Sequence, residues 1–161
     1  METIIEPIER SILEAELSPD RFLRKTSFGS NLLYTVNYHN APNVMLEIGR
    51  LREIAFREAG GGTGKSADID IYDTHNEFPY QQLIVWDPSH KQILGGYRYI
   101  LCNNARDNQG VYHLATKGLF EFSETFKTDY LPYVIELGRS FVHHEYQSGT
   151  HGRKGIFVLD N

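Results

Sequence analysis

Hydrophobic and polar positions follow two periods along the chain, and the changes between them mark the elements. Ile8 to Leu17 repeats at helical spacing and ends near Ser18-Pro19-Asp20. Leu32 to Tyr38 has the β-branched and aromatic content of a strand. Asn40 or Asn43, flanking Pro42, opens a helix that runs to about Ala59, with Val44, Ile48, Leu51 and Ala55 as its buried stripe. Arg52 and Phe56, four apart, project together from an adjacent face, and Gly60-Gly61-Gly62 stops the helix. Gln82 to Trp86 and Ile93 to Leu101 predict a hairpin around Asp87 to Lys91, with Gly95-Gly96 marking a bulge or a close backbone approach. Val111 to Ala115 predicts a further strand and Leu119 to Phe126 a short helix. Val134 to Val142 predicts a strand, Gln147 to Lys154 a loop, and Lys154 to Asn161 the first turns of another helix.

One strand breaks its own pattern. Tyr133-Val134-Ile135-Glu136-Leu137-Gly138-Arg139-Ser140-Phe141-Val142 carries a carboxylate, a glycine and a guanidinium in an apolar run. An unpaired buried charge costs several kcal/mol, so these residues need partners or a purpose. Strict alternation puts Glu136 and Arg139 on opposite faces. A bulge at Gly138 inserts one residue and turns both toward the same side.

Composition narrows the function. The 161 residues suit a single domain: an N-terminal helical extension over residues 1–30, then sheet and helices over 31–161. A net charge of −5 argues against nucleic-acid binding, which needs a concentrated basic face. One cysteine, Cys102, allows no internal disulfide and points to the cytoplasm. Met1 to Arg10 does not read as a signal peptide, and no apolar run approaches the ~20 residues of a membrane span. Contact with a membrane, such as the inner face, is then peripheral.

Four ordered segments carry a resemblance: Leu51-Arg52-Glu53-Ile54-Ala55-Phe56, Asp70-Ile71-Tyr72-Asp73, Gly95-Gly96-Tyr97-Arg98 and Glu136-Leu137-Gly138-Arg139-Ser140-Phe141-Val142. Together they resemble the acyl-carrier-protein-dependent N-acyltransferases with a GNAT-like fold. That group holds the ornithine and glycine lipid synthases, often labelled hemolysin-like, and more distantly the acyl-homoserine lactone synthases. Glu47-Ile48-Gly49-Arg50, Leu83-Ile84-Val85-Trp86-Asp87 and Leu159-Asp160-Asn161 look closest to the glycine lipid branch. The resemblance implies an α+β, three-layer fold with a mostly antiparallel mixed sheet flanked by helices. In the family, Leu159-Asp160-Asn161 continues into a C-terminal half, so the fold is expected to be incomplete at its C-terminus. An apolar sheet edge is then exposed and offers a route to a homo-oligomer.

The implied reaction moves a fatty acyl group from the phosphopantetheine thioester of acyl carrier protein, or from coenzyme A, to the amine of a small amino acid. The product is an aminolipid precursor. Glu136 is the candidate base, directly or through a water, with partial burial making it the stronger base; the alternative is that it only pairs with an arginine. Bulged backbone at Gly138, with Ser140, Phe141 and Val142, offers N–H groups to the thioester carbonyl. No residue is assigned as the acid for the thiolate. Arg52, Arg98 and Arg139 with Asp70 and Asp73 line the amino-acid side as the resemblance implies, or else form a salt-bridge network pinning helix to sheet. Phe56 is a wall of that cleft or a plain core residue.

Gln147-Ser148-Gly149-Thr150-His151-Gly152-Arg153-Lys154 stands where a GNAT-like protein places its pyrophosphate loop, with Gln147, Gly149, Gly152, Arg153 and Lys154 as donor contacts. The usual glycine spacing is half met, and a solvated loop is the competing reading. Other motifs point elsewhere. Ala59-Gly60-Gly61-Gly62-Thr63-Gly64-Lys65-Ser66 imitates a P-loop but follows a helix, so a lid over the amine site fits it better. Asp68 to Asp73 lacks the glycine and distal glutamate of a calcium loop, and adjacent His143-His144 on a strand diverge, so no metal and no bound cofactor is expected. Cys102 is a quiet residue. The competing functions are an acetyltransferase using acetyl-coenzyme A and a non-catalytic fragment.

Overall fold

The computed structural model describes residues 1–27 and 29–147. Five strands form one sheet in chain order: β1 (Phe22–Lys25), β2 (Leu32–Val36), β3 (Gln81–Asp87), β4 (Gln92–Leu101) and β5 (Ile135–Val142). Every neighbouring pair is antiparallel. Helices α1 (Arg10–Glu16) and α2 (Pro42–Glu58) pack against it. The architecture is α+β, as expected. β1 is a strand that periodicity does not predict, because its four residues are all exposed and leave no buried face to read.

α2 forms where its apolar stripe predicts. Val44, Met45, Ile48, Leu51 and Ala55 pack with Leu13 and Leu17 onto Ile84, Trp86, Ile93 and Phe141. Each of the Val, Leu, Ile, Met and Phe side chains stabilises the fold by about 1.5–3 kcal/mol through burial. Its start differs from the expectation of an asparagine cap. Ala41 holds the cap position and Pro42 the first turn, while Asn40 accepts a hydrogen bond from Asn37 N at 2.9 Å. The capping acceptor is Glu16 of α1, which takes Asn43 N at 3.2 Å and Val44 N at 2.9 Å. A carboxylate there also opposes the positive end of the helix dipole.

The β3–β4 hairpin carries a bulge at Leu94, where Val85 pairs Gly95 but Trp86 pairs Ile93. Gly96 is a close approach: a Cβ there would lie 2.2 Å from Leu83 O. A second cluster, Tyr80, Ile100, Cys102, Ala105, Tyr112, Leu114 and Leu131, closes one end of the sheet. The opposite face holds Leu33, Val85, Leu94 and Tyr146.

Three local expectations change. Val111–Ala115 makes, among the described residues, an isolated bridge of Tyr112 with Arg106, and Ala115 already opens a 3-10 turn at Ala115–Gly118. The winding expected over Leu119–Phe126 begins later, at residue 124, and includes a π turn at Phe126–Tyr130. The glycine-rich loop is not a free lid. Glu53 accepts from Thr63 N at 3.0 Å, Gly64 N at 2.8 Å and Arg57 Nε at 2.6 Å. The N-terminal segment adds Glu2 N to Gly64 O at 2.7 Å and Ile5 N to Ser66 O at 3.1 Å. Among the described residues no helix is long and apolar enough to cross a membrane.

Candidate active site

β5 bulges as its sequence requires. Arg98 pairs Gly138 and Gly96 pairs Phe141, so three steps on β5 face two on β4. Arg139 takes the strain at φ 53°, a left-handed conformation that costs a side-chain-bearing residue roughly 1–2 kcal/mol. The inserted residue resets the alternation. Glu136, opposite Ile100, shares its face with Arg98, and beyond the bulge Phe141 returns to the same face against the α2 core. Arg139 reaches Asp68 and Asp70, so both charges of the strand serve one side of the sheet.

On that side three guanidinium groups meet three carboxylates. Arg52 of α2 reaches Asp73 at 3.3 Å and donates to Gln82 Oε1 of β3. Arg98 of β4 reaches Asp70 at 2.8 Å and Asp73 at 3.4 Å. Arg139 reaches Asp68 and Asp70, each at 3.4 Å. A reciprocal turn positions the aspartates: Asp70 N donates to Asp73 Oδ2 at 3.2 Å, and Tyr72 N and Asp73 N donate to Asp70 Oδ1. Burial works to raise the Asp70 carboxyl, but Arg98 and these N–H groups hold it below its ordinary range. Asp68 moves the other way, raised by burial against the pull of Arg139 and Arg52. The network expected from sequence is therefore present.

Exposure divides its members. The side chains of Arg52 and Asp73 are 0% exposed, whereas Arg139 keeps 30% and Asp70 22%. The first two brace the network, and the last two are the ones solvent can reach. Phe56 packs against the α2 core, which favours its core reading.

Glu136 sits in a separate arrangement. Among the described residues it pairs with no arginine, which corrects that alternative. Oε1 accepts from Tyr80 OH at 2.5 Å and Ala115 N at 3.2 Å; Oε2 accepts from Thr116 N at 3.3 Å and from the Thr116 hydroxyl. Tyr80 in turn accepts from Ala115 N at 3.0 Å. Burial and the bond to Glu136 push the Tyr80 phenol up, so it stays a proton donor. Arg98 lies 5.0 Å from the Tyr80 ring centre and links the two arrangements. Burial and the charge of Glu136 push the Cys102 thiol up, away from nucleophile chemistry.

The donor side is partly described. Gly138 lies in the bulge and Ser140 is exposed. Phe141 is 3% exposed with its ring in the core, so its side chain is closed to an acyl donor. Val142 packs on the opposite face, and Gln147 donates to Val142 O at 2.7 Å. Gly149, Gly152, Arg153 and Lys154 lie outside the described residues, as does the helix expected over Lys154–Asn161.

Sequence reasoning missed Asp68, Gln82, Tyr80 and Thr116. Asp68 alternates with Asp70 and was open to the same reading. The contacts of Tyr80 and Thr116 with Glu136 span 56 and 20 residues and leave no local signal.

With this geometry in place, comparison with known proteins assigns the class. Residues 51–153 match the acetyltransferase (GNAT) domain, and the chain belongs to that family. It is similar to a protein of Bacteroides thetaiotaomicron named glycine N(alpha)-acyltransferase, 59% identical over 162 aligned positions that cover 100% of this chain and 48% of that protein. A protein of Phocaeicola vulgatus with the same name is 58% identical over 162 positions, covering 100% of this chain and 49% of its own length. The chain thus spans about half the length of the curated relatives it matches. No solved structure matches it.

Proposed function

We propose that this chain forms the amine-binding side of an N-acyltransferase that transfers a fatty acyl group from acyl carrier protein to a small amino acid, glycine first, as a step toward aminolipids. The bulge of β5 carries this reading: it brings Glu136 and Arg139 to one face beside Arg98 and Asp70. The name of the two relatives supports glycine as acceptor. The resemblance to the glycine lipid branch supports the acyl-carrier donor over coenzyme A.

Each residue has a role in the reaction. The glycine carboxylate docks on Arg139 and its ammonium on Asp70, the two members that reach solvent. Arg52, Asp73 and Arg98 hold them in place. Glu136 is the proton acceptor for the attacking amine. Bulged backbone at Gly138 and Ser140 faces the thioester oxygen, and the phosphopantetheine amides extend along the outer edge of β5. Phe141 and Val142 contribute backbone there, and Gln147 with Gly149, Gly152, Arg153 and Lys154 receives the phosphate. The reaction takes place in the cytoplasm, with peripheral membrane contact where the lipid product leaves.

An acylation assay tests the reading. The chain, and a version extended to the length of its relatives, are each given long-chain acyl carrier protein and a panel of amino acids, with products read by mass spectrometry. The expected result is N-acylglycine, reduced about 10²-fold or more by Glu136→Gln. Turnover of acetyl-coenzyme A with no long-chain product would replace this reading with the acetyltransferase one.

A further inference from the structure

Glu136 has a gatekeeper that the reaction scheme above does not use. Among the described residues, the four donors on its carboxylate come from Tyr80 and from Ala115 and Thr116, the first residues of the 3-10 turn Ala115–Gly118. Tyr80 is 1% exposed, and two of the other donors are backbone N–H groups that do not exchange roles during a reaction. Thr116 is half-buried, and after the buried Tyr80 its hydroxyl is the other side-chain donor on this carboxylate among the described residues. That hydroxyl donates to Oε2 and keeps its lone pairs for a proton arriving from outside.

Resting on the function proposed above, we propose that the Thr116 hydroxyl touches the acceptor amine and passes its proton to Glu136, with Tyr80 as the positioning residue that fixes the carboxylate. The amino acid first gives one ammonium proton to solvent. The amine nitrogen then bonds to the thioester carbon. Its surplus proton moves to Thr116 Oγ1 as the hydroxyl proton moves to Glu136 Oε2. The C–S bond breaks with its electron pair on sulfur, and the thiolate takes a proton from water while Glu136 returns its own to solvent. One amide and one thiol result, and Thr116 and Glu136 end as they began.

The turn is suited to this because Glu136 holds it through two backbone N–H bonds that are independent of the hydroxyl. Thr116→Val therefore removes the relay while keeping the shape and the backbone anchors. Thr116→Ser keeps the hydroxyl.

Three proteins, wild type, Thr116→Val and Thr116→Ser, are compared in the same N-acylation assay, with kcat and KM for glycine, the solvent deuterium isotope effect and a thermal melt. The expected result is a kcat about 10²-fold lower for Thr116→Val at nearly unchanged KM, with Thr116→Ser restoring most of the rate. Wild type and Thr116→Ser share a curved proton inventory, the mark of two protons moving together, which Thr116→Val lacks. Retention of kcat within about fivefold in Thr116→Val, or equal losses in both variants, overturns the relay. So does a loss that follows the melting temperature rather than the hydroxyl. Absence of N-acyl product from wild type overturns the function reading itself, and the relay with it.

Discussion

Arg52 and Asp73 show what single residues contribute beneath the site. Both side chains are fully buried and 3.3 Å apart, with Gln82 bridging them: it accepts from Arg52 and donates to Asp73 Oδ1 at 3.0 Å. Burial lowers the Arg52 guanidinium from its usual range, against the opposing pull of Asp73 and Asp68. Removing one partner of such a pair leaves a charge in a low-dielectric interior, which costs far more than the pair contributes. Asp73→Asn keeps the shape of the side chain and removes only the charge. It is expected to destabilise the fold by about 3 kcal/mol, read as a lower urea midpoint at unchanged slope. A shift below about 1 kcal/mol would mean that Asp68 and Gln82 satisfy Arg52 without it. Arg139 contrasts with this pair. It keeps solvent contact despite two carboxylate partners, so its worth lies in what it meets there more than in stability.

At the scale of elements, the α2 stripe, the hairpin and the charged strand were legible because each is a local pattern. The bulge was legible too, since Glu136, Gly138 and Arg139 cannot share a face without it. What sequence could not supply was partnership over distance: Glu16 capping α2, Tyr80 and Thr116 enclosing Glu136, and Glu53 tying down the glycine loop. Such contacts follow from the topology of the sheet, and no period records them. The end of β5 offers a prediction of the same kind. Burial, with His144 and Arg50 adding to it and Glu145 and Glu47 opposing, lowers His143 from 6.5 to about 4. The folded state thus keeps His143 neutral while the unfolded chain takes up a proton as pH falls below 6.5. Stability from this group is full above 6.5, declines as pH falls, and levels off below about 4. Glu53 acts in a lower window. Burial works to raise it, but hydrogen bonds from Thr63, Arg57 and Gly64 bring it from 4.5 to about 2, so its contribution is lost between those values. His143→Asn is expected to flatten the urea-unfolding free energy between pH 6.5 and 4 and leave the more acidic limb intact. An unchanged slope in the upper window would place the titration elsewhere.

For the molecule as a whole, the two faces of the sheet are unequally covered. α1 and α2 close one face, while on the other Leu101 is 46%, Ile135 52% and Leu137 60% exposed. Leu101 pairs Ile135 and Leu137 pairs Tyr99, so these side chains share that face beside the edge of the sheet. β5 is the last strand in the sheet order, and among the described residues its outer edge has no strand partner. An apolar strand with an open edge is a template for pairing, and the β4 residues that face it here, Tyr99 and Leu101, carry no charge to discourage it. The chain in isolation is therefore expected to self-associate through β5, with a mass by light scattering that rises with concentration. Leu137→Lys places a charge in the middle of the strand on the open face, where it touches none of the groups around Glu136. It should lower the association constant about tenfold or more while the far-ultraviolet circular dichroism stays unchanged. The alternative occupant of this face is further chain. If a version extended to the length of the relatives is monomeric, and Leu137→Lys destabilises that longer protein instead of solubilising it, the face is an interior surface of the longer protein. Concentration-independent monomer from the 161-residue chain itself would refute the pairing outright.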